Sequence, residues 1–178
     1  MSVLTIIPSV LGSQGTVRPS AGSHIDLALQ GHTLVASLAN HDDVPLTVHA
    51  RSFTLESTPS THTVGPHREL KAAWQCPEGF DLSLHGPFGG YRHIEGRHGE
   101  PQLEVRLRAS RRGGRATLFN PHRFELRALV ADGVQTDRSI TLAPFTRRTL
   151  AVRHQQGGYE VTITLPGTSS RQVLAGHL

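Results

Sequence analysis

The chain has 178 residues and a formal net charge of +4 at pH 7. A chain of this length forms one domain or two small ones. The charge is small and includes no run of five or six like charges, so it indicates ordinary solubility rather than strong attraction to nucleic acid or anionic lipid. Cys76 is the only cysteine, which excludes an intramolecular disulfide.

Residues 1–17 are predicted to be an extension or linker that precedes the folded part. The stretch Val3–Leu11 is apolar, but it has no basic flank and Pro8 interrupts it. It resembles neither a secretory signal nor a membrane span, for which it is too short. No other stretch approaches the length of a membrane span.

From residue 24 onward, apolar residues alternate with polar ones, as in Ile25, Leu27 and Leu29. This period of two predicts strands with one face in a core, where Trp74 and Cys76 are also expected. The 18 glycines and 11 prolines leave no place for a long helix. In chain order the predicted strands are 24–30, 33–39, 46–53, 61–64, 69–75, 79–85, 91–95, 102–109, 114–119, 124–130, 138–142, 147–153, 158–165 and 171–175.

The sequence repeats itself at a spacing of 79 to 80 residues. Gly79–Pro87 reads glycine, aromatic, acid and then alternating apolar and polar residues up to a proline, and Gly158–Pro166 repeats this order. Ala36–Asn40 matches Ala116–Asn120 in the same way. The same alignment places Ile94 on Val173. A self-match at a fixed spacing predicts two copies of one structural unit.

We therefore predict an all-β chain of two tandem immunoglobulin-like β-sandwiches, one over residues 18–98 and one over residues 99–178. Each copy has about seven predicted strands, which is the number in a small immunoglobulin-like domain. Gly96–Gly99, followed by Pro101, marks the boundary between the copies.

The segment Gly79–Gly96 resembles the signature of a known family. Its sequence, GFDLSLHGPFGGYRHIEG, is similar to that of the tandem C-terminal domains of bacterial phosphocholine-preferring phospholipases C. The resemblance extends over residues 18–178, with a degraded signature in the second copy. There Leu165 stands in place of Gly86, and residues 167–170 replace the aromatic loop. In the first copy, Tyr91 shifts the usual aromatic position by one residue.

The resemblance implies two all-β modules that follow a large catalytic domain in the parent enzyme. That catalytic domain belongs to the alkaline phosphatase-like class of metal-dependent hydrolases and is absent from this chain. The modules themselves are expected to be non-catalytic.

The residues of this chain also predict no catalytic set and no cofactor. A nucleophile elbow, a phosphate-binding glycine loop and paired catalytic carboxylates are all missing. The tightest histidine grouping is His85, His93 and His98, but its gaps do not match the paired spacing of zinc ligands. We therefore predict no metal site.

Two surface segments are candidates for lipid or partner contact. Phe88, Tyr91 and Arg92 place aromatics beside a cation in a glycine-rich loop, a mix that suits a membrane interface or a quaternary ammonium group. The alternative is that Phe88 or Tyr91 folds back over the end of the sandwich. Arg111 and Arg112 form a basic hairpin tip that could meet phosphate groups, although the sequence favours a solvated turn there.

The expected function is an accessory role in a phospholipase C: supporting the catalytic domain, approaching a phospholipid surface or binding an export partner. The parent enzyme is expected to be secreted or periplasmic. The alternatives are a protein-interaction module and a carbohydrate-binding sandwich without lipid contact. A nucleic-acid partner is not expected, because no aromatics interleave with the arginines.

Overall fold

A computed structural model describes residues 23–52, 54, 59–87, 90–110, 113–133 and 137–177. These residues form 14 strands and the turns between them. The strands are β1 (His24–Gln30), β2 (Thr33–Asn40), β3 (Leu46–Ser52), β4 (Ser60–Val64), β5 (Arg68–Gln75), β6 (Gly79–His85), β7 (Tyr91–Arg97), β8 (Glu104–Ser110), β9 (Gly113–Phe119), β10 (Leu126–Ala131), β11 (Arg138–Leu142), β12 (Arg147–Val152), β13 (Gly158–Thr164) and β14 (Arg171–His177).

The alternation in the sequence becomes the two faces of each strand. In β2, Leu34, Ala36 and Leu38 are buried while the residues between them are half-buried. Burying such a face removes apolar surface from water, which is the main force that favours folding. The prediction of an all-β sandwich is confirmed, and Cys76 is fully buried as expected. Trp74 is partly buried against the same core.

Each half of the chain is a sandwich of a three-stranded and a four-stranded antiparallel layer. In the first half, β1-β2-β5 packs on β4-β3-β6-β7 around Phe80, Leu34 and Leu84. In the second half, β8-β9-β12 packs on β11-β10-β13-β14 around Leu118, Leu142 and Val161. The fourth strand of each half pairs with the third, whereas in a constant-type immunoglobulin domain it pairs on the opposite sheet.

The two four-stranded layers join into one eight-stranded sheet. Strand β7 pairs antiparallel with β14, with Glu95 opposite Arg171 and Tyr91 opposite Ala175. The central pair of this ladder is His93 and Val173. The halves therefore share a main-chain hydrogen-bond ladder, which gives the connection between β7 and β8 little freedom.

Side chains reinforce this joint. The guanidinium of Arg92 donates to the carbonyl oxygens of Ile25 at 3.1 Å and Ala175 at 3.4 Å. The Glu100 carboxylate accepts bonds from the backbone N–H of Ser169 at 2.9 Å and from its hydroxyl at 2.5 Å. These bonds fix the first half and the connecting segment against the last hairpin of the second half.

Two buried asparagines occupy matching places in the two halves. The amide of Asn40 donates to the carbonyl oxygens of Val44, Val64 and Gly65 at 2.8 to 3.1 Å. The amide of Asn120 donates to those of Phe124, Leu142 and Ala143 at 2.8 to 3.2 Å. Each side chain also accepts a bond from the backbone N–H two residues later. Each asparagine thus ties two loops together at one end of its sandwich.

The predicted alignment of Ile94 with Val173 is wrong by one residue. Ile94 lies opposite Leu82 in the first half, but Leu174, not Val173, lies opposite Val161 in the second. The cause is the hairpin loop: residues 86–90 connect β6 to β7, while residues 165–170 connect β13 to β14. The second loop is one residue longer, so the offset changes from 79 to 80 within the hairpin.

Candidate functional site

The predicted contact loop is held closely against the first strand. The Gly86 N–H donates to the Gly90 carbonyl at 2.6 Å, which closes the turn. A Cβ atom on Gly86 would lie 2.9 Å from Ile25 Cδ1, so the glycine permits this approach. Phe88, at the centre of the loop, lies outside the described residues, as do Arg111 and Arg112. Their predicted role in contact stays a prediction.

Tyr91 and Arg92, the other two predicted contact residues, point to opposite faces of β7. Tyr91 is half-buried on the outward face, where its ring lies 4.9 Å from that of His85 between centroids. Burial raises the pKa of the Tyr91 hydroxyl; Arg171 opposes this effect, and nearby carboxylates add to it. Arg92 is half-buried and donates to backbone carbonyls, which is a structural role at the joint.

The outward face of the joined sheet forms a shallow cavity of about 470 Å³. Strands β6, β7, β13 and β14 contribute its walls, so it lies across the joint between the halves. Its lining contains three carboxylates, one guanidinium, one imidazole and one phenol: Asp81, Glu95, Glu160, Arg171, His93 and Tyr91, with Val173 and Ala175 beneath.

Asp81 and His93 form the closest polar pair in this lining. The distance from His93 Nε2 to Asp81 Oδ1 is 2.7 Å. The side chain of His93 is 9% exposed and that of Asp81 is 24% exposed. A bond between a nearly buried imidazole and a carboxylate fixes the orientation of the ring.

The predicted histidine grouping is not brought together. His85 and His93 lie on the same outward face of β6 and β7, but His98 lies beyond β7. There its ring contacts that of His32 at 4.1 Å between centroids, and its Nε2 contacts the Cys76 carbonyl. Burial lowers the pKa of His85, and Arg51 and then His49 lower it further.

One end of the second sandwich exposes two large aromatic side chains, which we call the Phe124–Phe145 end. Phe124 is 52% exposed and Phe145 is 60% exposed. The Asn120 amide binds the loops that carry them, through the carbonyls of Phe124 and Ala143. The two phenylalanines therefore lie on neighbouring loops.

The charges of this end are also distinctive. Phe145 itself has a φ of 55°, in the left-handed region. Arg123, Arg147 and Arg148 on the same loops and the following strand are exposed, against one exposed carboxylate, Glu125.

The matching end of the first sandwich has the opposite character. Val44 takes the place of Phe124 and is 56% exposed, while His67 takes the place of Phe145 and has a φ of 51°. Asp42, Asp43 and Glu69 surround these positions, together with one exposed arginine, Arg68. Among the described residues, the end of the second sandwich is therefore aromatic and basic, whereas that of the first carries an exposed valine and more carboxylates than arginines.

Sequence reasoning missed both the cavity set and the Phe124–Phe145 end. Asp81, His93 and Glu95 are separated along the chain and meet through the pairing of β6 with β7. The sequence signal for the cavity set was a histidine and a glutamate two residues apart on one predicted strand, with an aspartate on the strand before it. For the exposed phenylalanines, the signal was an aromatic residue beside arginine in a turn, at Arg123-Phe124 and again near Arg147.

No helix in the part of the chain that the structure describes has the length and apolarity to cross a membrane. No curated protein is significantly similar to this chain. The family described as bacterial phospholipase C, C-terminal domain, matches residues 19–97. These residues contain strands β1 to β7. The predicted resemblance to the C-terminal domain of bacterial phospholipase C is therefore confirmed over the first half of this chain.

Proposed function

We propose that this chain is a non-catalytic accessory region of a bacterial phospholipase C that holds the catalytic domain against a phospholipid surface. The family match over residues 19–97 supports the link to a phospholipase C. The observation that carries the membrane role is the Phe124–Phe145 end, with two exposed phenylalanines beside three exposed arginines.

The physical chemistry of this end suits a lipid interface. Transfer of a phenylalanine side chain from water to an apolar environment gains about 1.5 to 3 kcal/mol. An arginine near an anionic membrane surface contributes about 1 kcal/mol more. Both phenylalanines lie on loops that the Asn120 side chain fixes, so docking orders little new structure.

The exposure of Phe145 supports the same interpretation. Its left-handed φ of 55° is shared by His67 at the matching position, with a φ of 51°, so this conformation belongs to the turn that both halves have. What differs is the side chain, because Phe145 presents an aromatic ring that is mostly exposed. Contact with a lipid surface would bury that ring.

The tandem organisation is part of the proposal. Residues 18–98 and 99–178 are two copies of one unit, supported by the same order of seven strands and the matching bonds of Asn40 and Asn120. The copies have diverged at their asparagine-bound ends, where, among the described residues, the second presents exposed phenylalanines with arginines and the first does not. We also propose that the parent enzyme is exported and acts on phosphocholine lipids.

Docking of a protein partner along a free sheet edge has less support. The edge strands of the eight-stranded sheet, β4 and β11, have five residues each. Short edge strands offer few unpaired backbone groups to another chain. A further edge, β5, carries Arg68, Glu69 and Lys71, and charged residues also discourage edge pairing.

Vesicle co-sedimentation tests the proposal. The chain is mixed with vesicles of phosphatidylcholine, with and without phosphatidylglycerol, at low and at high salt. We expect sedimentation with the anionic vesicles at low salt and weaker binding at high salt, because salt screens the arginines. A chain that stays in the supernatant under all of these conditions would rule out the membrane role.

A further inference from the structure

Three side chains of types that can ligate metals lie together on the outward face of the joined sheet, away from the Phe124–Phe145 end. They are Asp81, His93 and Glu95. Each residue offers one ligand atom, and these atoms lie within 4.8 Å of one another. Neither the accessory role nor the membrane contact uses them.

Sheet register brings the three ligands together. His93 and Glu95 are two residues apart on β7, so their side chains point to the same face. Asp81 on β6 is the direct cross-strand partner of Glu95. Ligands on two paired strands are held more rigidly than ligands on loops, which favours a defined site.

The donor set suits a divalent transition ion. One imidazole nitrogen and two carboxylate oxygens are ligands that Zn²⁺ and Mn²⁺ accept. Ligand atoms bound to one zinc ion at about 2.0 to 2.2 Å lie about 3.3 to 3.6 Å apart. The His93–Asp81 pair, at 2.7 Å, therefore opens on binding, and side-chain rotations adjust the other separations, which are within 4.8 Å. The ion takes the place of the hydrogen-bond proton between His93 Nε2 and Asp81 Oδ1, and that proton is released to solvent.

The surroundings leave the ion accessible and the site negative. The cavity in front of the three ligands provides room for water or an added ligand in the remaining coordination positions. Glu160 lines the same cavity and contributes a third carboxylate. Arg171 lies opposite Glu95 and offsets one of the three negative charges.

The fold does not require this set. In the second half the hairpin of β13 and β14 forms with the same antiparallel pairing. By register, Glu160 there takes the place of Asp81, Val173 that of His93 and Ala175 that of Glu95. A sandwich of the same topology thus forms without the imidazole and without the second carboxylate.

We propose that Asp81, His93 and Glu95 form a binding site for one divalent transition ion on the outward face of the sheet, next to the joint between the halves. The ion stabilises the β6–β7 hairpin and presents an open coordination position to the cavity. Zinc is the ion used to test the site.

Calorimetric titration of the untagged full chain with zinc chloride tests this assignment. We expect about one strongly bound ion per chain. Glu95→Gln keeps the size and the hydrogen-bonding capacity of the side chain but removes its charge, and it should lower the affinity by about tenfold or more. His85→Ala is the matched control, because His85 is exposed on the same face and is not a ligand; its affinity should equal that of the wild type.

Thermal unfolding provides the second readout. Zinc should raise the unfolding midpoint of the wild-type chain and of His85→Ala, because an ion that binds the folded state stabilises it. It should not raise the midpoint of Glu95→Gln, whose fold without zinc is checked by circular dichroism. Absence of stoichiometric binding to the wild type overturns the proposal, and so does equal binding to Glu95→Gln and the wild type.

Discussion

At the residue scale, the side chains of Asn40 and Asn120 bind the loops at one end of each sandwich, which a turn sequence alone does not do. Each is almost fully buried, and each donates from its amide to three main-chain carbonyls at one end of its sandwich. A buried carbonyl without a donor costs about 1 to 3 kcal/mol, so one asparagine stabilises two loops at once. Asn120 in particular fixes the loops that expose Phe124 and Phe145.

We predict that Asn120→Ala lowers the free energy of unfolding by about 2 to 3 kcal/mol, because it removes the side-chain donor to the Phe124 and Leu142 carbonyls, whereas the Ala143 carbonyl keeps its bonds from Thr146. Asn120→Asp should be at least as damaging, since it keeps an acceptor, loses the donors and buries a charge. Urea unfolding followed by circular dichroism measures both. A loss below about 0.5 kcal/mol, the usual effect of a surface substitution, would show that the bonds matter little.

Cys76 provides a test of burial at a single atom. Its side chain is fully buried and its thiol donates to the His32 carbonyl at 3.2 Å. Burial raises the pKa of the thiol, so the nucleophilic thiolate is scarce near neutral pH. We expect slow alkylation by iodoacetamide in the native state and fast alkylation in urea. Equal rates in the two states would contradict the structure.

At the scale of elements, the segment between β7 and β8 binds the last hairpin through side-chain hydrogen bonds. Glu100 accepts two bonds from Ser169, and these bonds are the main reason why the pKa of the Glu100 carboxyl is lowered. Gln102 accepts a bond from the Ser170 hydroxyl at 2.7 Å. The longer loop of the second hairpin therefore has a partner in the connecting segment.

We predict that Ser169→Ala raises the pKa of Glu100 toward its ordinary value. A carboxyl whose pKa is lower in the folded state stabilises the protein above the unfolded pKa, and this stability is lost as pH falls through the folded pKa. The variant should lose less stability on acidification than the wild type. Carboxyl titration by nuclear magnetic resonance, with urea unfolding at several pH values, measures both effects. An unchanged Glu100 titration in the variant would contradict the assignment.

Sequence periodicity predicted the strands well, since each of the 14 strands lies within about two residues of a predicted one. It could not predict which strands are neighbours, because alternation describes the faces of a strand and not its edges. The pairing of β7 with β14 therefore became visible only in the structure. The register of β14 was missed because one extra loop residue moves an alignment without changing the alternation.

Because periodicity does not predict which strands are neighbours, it also could not predict how the site residues are grouped. Tyr91 and Arg92 are adjacent in sequence, but neighbouring residues of a strand face opposite sides, and Arg92 serves the joint. Phenylalanine is usually a core residue, yet Phe124 lies in a turn that leaves about half of it exposed. The grouping of Asp81, His93 and Glu95 could be predicted only with knowledge of which strands pair.

At the scale of the whole molecule, the two halves form one body with unlike ends. The shared sheet sets the Phe124–Phe145 end apart from the acidic end of the first half, with its Asp42 and Asp43. Such a charge difference orients the molecule at an anionic surface. An oriented accessory region would in turn orient an attached catalytic domain.

The chain alone is predicted to lack phospholipase activity, because the proposed function assigns catalysis to a separate domain of the parent enzyme. Purified chain is assayed on phosphatidylcholine and on a soluble phosphocholine ester, with and without divalent ions. Turnover should equal the buffer blank, including with zinc at the Asp81, His93 and Glu95 set. Activity that survives repurification would assign catalysis to this chain.

The central claim is that the Phe124–Phe145 end contacts the membrane, and co-sedimentation of matched variants with anionic vesicles at low salt tests it most directly. Phe124→Ser with Phe145→Ser should lose most of the binding while unfolding at nearly the wild-type urea concentration, since both side chains are exposed. Val44→Ser changes the exposed apolar residue at the other end and should bind like the wild type. Phe88→Ser with Tyr91→Ser tests the loop predicted from the sequence. If the double phenylalanine variant binds as well as Val44→Ser, the account is wrong.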